Sequence, residues 1–259
     1  MIENQWIFLT LGGLISGLLA GLLGIGGGTV LVPILVTLQY TPVQAVATSS
    51  LAIVLTSISG SIQNWRMGYL DFNRVFSIGF PALVTAQLGV YLASQFSSSL
   101  LLIAFGFLLI INIFLVRLRK NLERQQSDAN PINVNPMVAR LGTGAAAGLL
   151  AGLFGVGGGV IMVPLQMLLL GEQIKVAIQT SLGVIVITAI AATVGHAFKG
   201  NVLFTVGLIL GIGGLIGAQV STRYLPKLPE QFVSFCFNLL LAILSIYTFW
   251  QAWQKFIGN

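Results

Sequence analysis

An all-α integral membrane protein made of two repeats is the fold class this sequence predicts, and three observations predict it. Only 7% of its 259 residues are charged and 56% are hydrophobic, whereas soluble domains carry about 25% charged residues. The apolar residues gather into ten runs, five before and five after one polar stretch. One glycine-rich stretch occurs twice: residues 17–35 read GLLAGLLGIGGGTVLVPIL, and residues 148–166 read GLLAGLFGVGGGVIMVPLQ.

The first repeat, residues 1–118, holds apolar segments at roughly 6–25, 28–39, 42–63, 74–94 and 99–117. Residues 119–137 form a polar linker. The second repeat, 138–259, holds segments at roughly 138–156, 159–170, 174–197, 203–224 and 232–253. The opening segment MIENQ carries an acid and no basic residue, so the first run reads as a retained helix and not as a cleaved signal. Gly13, Gly17 and Gly21, like Gly144, Gly148 and Gly152, recur every fourth residue, as close helix packing in lipid requires.

The second segment of each repeat is short. At 1.5 Å per residue, about 12 residues cover ~18 Å of a ~30 Å hydrocarbon core. Each begins at a glycine triplet, Gly26-Gly27-Gly28 or Gly157-Gly158-Gly159, with Pro33 or Pro164 five residues beyond. Helix interiors tolerate Gly poorly and Pro worse, so triplets and prolines together predict broken or re-entrant helices.

The third segment starts well, with Thr41 as cap and Pro42 at the first helical position. Ser49 and Ser50 then lie ~12–14 Å along it, near the depth of the triplets. Ser49-Ser50-Leu51 aligns with Thr180-Ser181-Leu182, and after a slip of one residue Asn64 aligns with His196 and Gly68 with Gly200.

Basic residues set the orientation. With a cytoplasmic linker and a chain reversal at every segment, ten of the twelve Lys and Arg residues fall inside, leaving Lys199 and Lys255 outside. Five reversals per repeat give the halves inverted topology and put both termini outside a plasma or inner membrane. Inverted repeats with interrupted helices are the plan of secondary transporters.

The chemistry follows from what is present. Helix N-termini offer unpaired N–H groups with partial positive charge, and bare glycines let an anion reach them. Hydroxyls of Ser49, Ser50, Thr180 and Ser181 add donors. Substrate binding is therefore expected at Gly26, Gly27, Gly28, Gly157, Gly158, Gly159 and these four hydroxyls, with Asn64 and His196 as a gate or relay. All six acids lie at termini or connections; cation pathways usually hold a carboxylate within the membrane.

Other functions find little support. A single His and a single Cys, Cys236, offer neither a disulfide nor a zinc site. GIGGGT lacks the Lys-Ser/Thr of a phosphate loop and follows no strand. The net charge of +6 is spread between apolar segments, unlike a nucleic-acid footprint. No cofactor, metal or enzymatic activity is expected.

The doubled GGG-x4-P stretch, with a TSL-type hydroxyl motif after each copy, resembles the TauE/SafE family of membrane permeases, also called the sulfite exporter or TSUP family. The resemblance spans nearly the whole chain. It implies transport of a small sulfur anion, such as sulfite, a sulfonate or sulfoacetate, without ATP hydrolysis. It carries that role onto the same glycines, prolines and hydroxyls, with Ser49 standing where the motif more usually has Thr. The expected partners are this anion, a coupling ion (proton or sodium) and the bilayer. A small-anion channel, and a non-transporting intramembrane enzyme or assembly subunit, are the alternatives.

Overall fold

Signals at helix ends set the architecture of the computed structural model, which describes residues 2–125 and 135–257. Among the described residues ten α-helices follow one another: α1 (Ile2–Leu23), α2 (Gly28–Thr37), α3 (Pro42–Arg66), α4 (Phe72–Ala93), α5 (Ser98–Gln125), α6 (Pro136–Phe154), α7 (Gly159–Leu169), α8 (Ile174–Phe198), α9 (Phe204–Tyr224) and α10 (Glu230–Ile257). A 3-10 turn at Leu225–Lys227 joins the last two. Eight of these are long and apolar enough to cross a membrane; α2 and α7 are the short ones. Most of the linker lies outside the described residues, although α5 runs on to Gln125, past the end of its apolar run.

Three of these starts, those of α3, α4 and α6, carry a side-chain cap. Thr41 and Gln44 form a reciprocal capping box on α3, with bonds of 3.3 and 3.2 Å, which satisfies two donors the helix itself cannot. The Asp71 carboxylate accepts from the Asn73 and Arg74 amides and opens α4. Asn135, followed by Pro136, opens α6 in the same manner.

The short helices fold back on their predecessors. Ser16 Oγ in α1 donates to the Gly27 carbonyl at 2.9 Å, and further along, Gly12 lies against Ile34. Two contacts in opposite sequence order make α1 and α2 an antiparallel hairpin with a glycine bend. Gly158 packs on Ala147 at the matching place in α6–α7.

The halves are exchanged in space. Helix α1 lies against α9, and α6 against α4. Gly13 and Gly17 press on the Leu210 and Gly214 backbone, while Gly144, Gly148 and Gly152 press on Ile78, Ala82 and Ala86. Helices α3 and α8 cross in the middle, and α5 and α10 pair outside them, with Phe107 edge-on to Phe249 at 5.4 Å.

Candidate functional site

The two glycine bends meet in the middle of the molecule. Gly24, Gly26 and Gly27 take φ of 67, 75 and 83°, and Gly155, Gly157 and Gly158 take 63, 73 and 80°. Side chains rarely tolerate this left-handed backbone, so the bend itself demands these glycines. Gly28 and Gly159, which open the short helices, meet a second constraint. Their faces lie on the carbonyls of Gly155 and Gly24, each half touching the other.

Two serines tie the crossing. Ser49 Oγ donates to the Gly155 carbonyl at 2.9 Å, and Ser181 Oγ donates to the Gly24 carbonyl at 2.9 Å. These reciprocal bonds correct the register of the repeat. Ser49 corresponds to Ser181, and Thr48-Ser49 to Thr180-Ser181, so the threonine that seemed displaced in the first copy is present one residue earlier. The slip arises before this motif, because α7 is one residue longer than α2.

The remaining expected residues fall into three places. Ser50 bonds back to the Val46 carbonyl within α3 at 2.9 Å, and Thr180 is buried one residue before Ser181. Pro33 and Pro164 lie inside continuous helices, so they are not breaks; the glycines alone bend the chain. A proline there sacrifices one helical N–H and keeps a helical φ. Asn64 and His196 lie fifteen residues beyond the serines, about 22 Å along their helices. They are far from the serine on their own helix, yet His196 reaches the residues just before a bend, since Gly152 is one turn ahead of Gly155. Both are fully buried; His196 Nε2 is 3.0 Å from the Gly152 carbonyl, whereas neither polar atom of Asn64 has a protein partner.

What the crossing offers chemically is a set of donors. The bend and first-turn N–H groups from Gly26 to Thr29, and from Gly157 to Ile161, have no protein acceptor among the described residues. They are buried nonetheless. Buried unpaired N–H groups are costly, and an anion satisfies several together while meeting the positive helix ends. Ile53, Ile185 and Ala189, all buried, pack together beside the triplets and close this face.

Sequence reasoning passed over two polar supports. Thr188 Oγ1 donates to the Gly157 carbonyl at 2.8 Å, and Ser16 holds Gly27 as described. Thr188 is two helical turns beyond Ser181 on the same face, and that spacing was the available signal.

The comparisons decide the lineage. The family model described as "Sulfite exporter TauE/SafE" matches residues 9–248. The chain belongs to that family. It is 31% identical over 250 residues to the probable membrane transporter protein YunE of Bacillus subtilis, covering 86% of this chain and 91% of that one. It is 25% identical to the probable membrane transporter protein MJ0441 of Methanocaldococcus jannaschii, covering 91% and 92% of the two chains. A probable membrane transporter protein of Xylella fastidiosa is 24% identical, with 99% of both chains covered. No solved structure matches. This TauE/SafE member is a multi-pass membrane protein.

Proposed function

We propose that this chain is a secondary transporter of a small sulfur oxyanion, of the sulfite, sulfonate or sulfoacetate type, working by alternating access between two inverted repeats. The observation that carries the reading is the crossing itself: two buried helix N-termini with unpaired N–H groups, brought together from opposite halves and tied by Ser49 and Ser181. The relatives' names support a transporter, and the family's description supports sulfite chemistry. The carboxylates of Asp71, Glu172 and Glu230 stand at helix starts and connections, which favours an anion over a cation.

Mechanistically, the anion takes the place of water at the donors of Gly26 to Thr29 and Gly157 to Ile161. The glycine bends act as hinges, since their backbone tolerates large changes of φ. Parting of the bends on one side, with closure of Ile53 and Ile185 on the other, exposes the site to one compartment at a time. A proton or sodium ion couples the cycle to its gradient.

The test is flux. Purified protein in proteoliposomes should take up radiolabelled sulfite with saturation and counterflow. In detergent, sulfite at a hundred times Kd should stabilise the fold by about 2.7 kcal/mol, because it binds the folded state alone. Neither flux nor stabilisation with sulfite or a short-chain sulfonate would sink the proposal. Flux without saturation or counterflow would make the protein a channel.

A further inference from the structure

We infer that the pocket between the C-terminal ends of α3 and α9 is a second anion site, a vestibule that gathers the oxyanion and feeds the glycine crossing; this rests on the transport reading above. The cavity measures about 450 Å³ and is lined by Gln63, Arg66, Gln219, Val220, Arg223 and Tyr224. It is built to offer hydrogen-bond donors to an anion. Neither guanidinium pairs with a carboxylate among the described residues. Gln219 Nε2 donates to Gln63 Oε1 at 2.7 Å, which leaves the Gln63 amide –NH2 as a further donor. Ser59 steadies Gln219, its Oγ–H shared between Gln219 Oε1 at 3.1 Å and the Leu215 carbonyl at 2.8 Å.

Two cations sharing one cavity without a counter-ion repel each other. An oxyanion between them removes that repulsion and fits the fork of each guanidinium. A topological or helix-dipole role explains one Arg at each helix end. It does not explain a shared polar cavity.

A polar seam leads inward from this cavity. Thr222, next to Arg223, and Asn64, next to Gln63, are fully buried, and Thr222 Oγ1 with both polar atoms of Asn64 lacks a protein partner. The Thr222 hydroxyl lies against Gly21 of α1 and Gly60 of α3, one turn before Asn64. Gly24, whose carbonyl takes the Ser181 bond, is the next turn of the same chain after Gly21. Unpaired buried groups are costly, and here they form a polar seam between the cavity and the glycine bend.

The matching place in the other half is occupied. Lys199 Nζ bonds Ser94 Oγ at 2.6 Å and sits over the Tyr91 ring. Gln87 donates to the Ala191 carbonyl at 2.7 Å, and His196 takes the Gly152 carbonyl. The cation that stands open on the Arg66–Arg223 side is bonded on this one, although His196 Nδ1 and Thr193 Oγ1 here lack a protein partner among the described residues.

The experiment compares sulfite kinetics in proteoliposomes for wild type, R66Q, R223Q and both together. Each single change should raise KM about tenfold, the scale on which focused charge raises local anion concentration, and the double variant should flatten the dependence of KM on ionic strength. Restoring charge, as R66K with R223K, should recover most of the loss. A merely structural role would lower Vmax through lost protein and leave KM in place. Sulfite flux with KM and salt dependence equal to wild type in R66Q/R223Q would overturn the vestibule alone. Absence of sulfite flux in wild type would overturn the transport reading, and the vestibule with it.

Discussion

At Gly28, one added methyl group would enter the space of the Gly155 carbonyl, and at Gly159 that of the Gly24 carbonyl. Backbone cannot retreat as a flexible side chain can, so G28A and G159A should each cost at least about 1–3 kcal/mol and lower the yield of folded protein. Gly68 is the control: its φ is 77° but nothing lies within 4 Å of an added Cβ. There G68A should cost only the left-handed strain, about 1–2 kcal/mol. Thermal unfolding in detergent ranks the three. The two tying serines make a second residue-scale prediction. S49A and S181A each orphan a buried bond, and each should cost about 1 kcal/mol in the same assay. Six aligned glycines and a nearby hydroxyl pair were legible in the sequence. Their partners were not, because depth along a helix says nothing about which backbone faces it. The glycines expected to be bared for a ligand are bared for one another in the fold.

Between elements, the spacing of Gly144, Gly148 and Gly152 foretold close packing but not the neighbour, since any helix with small residues satisfies it. The structure supplies α4. G148V should therefore separate α4 from α6, whereas G142V, with nothing within 4 Å of its Cβ, should leave the protein folded; size-exclusion profiles and melting temperature distinguish them. The connection between α7 and α8 carries a titrating group. Glu172 is 3.0 Å from Arg74, yet burial outweighs the attraction of Arg74 and Arg140 and raises its pKa above the ordinary 4.5. The folded protein thus holds this proton more tightly than the unfolded chain. That stabilisation is full below pH 4.5 and fades as pH rises through the raised value. Melting temperatures across this range should shift in favour of E172Q, relative to wild type, as the pH is increased. Helix starts at Thr41 and Pro42 were readable, because caps are local chemistry. The prolines misled, since each removes one interior N–H of its short helix without ending it.

For the whole molecule, hydropathy gave the number and order of helices almost completely, because bilayer thickness imposes length on any spanning segment. Inverted topology is the part to be measured. In a C236A background, N201C should react with a membrane-impermeant maleimide on intact cells, and Y69C only after permeabilisation. Labelling of both from one side would exclude the inverted arrangement. What the sequence concealed most fully is the exchange of helices between halves, since two similar repeats predict self-contained bundles equally well. That exchange has a consequence for biogenesis. Gly17 must wait for Gly214, roughly 200 residues later in synthesis, which at ~5–20 residues per second is roughly 10–40 s. Throughout that interval the newly inserted α1 exposes its small-residue stripe to lipid and to other nascent chains. The α1–α9 packing therefore forms only after most of the chain has left the ribosome.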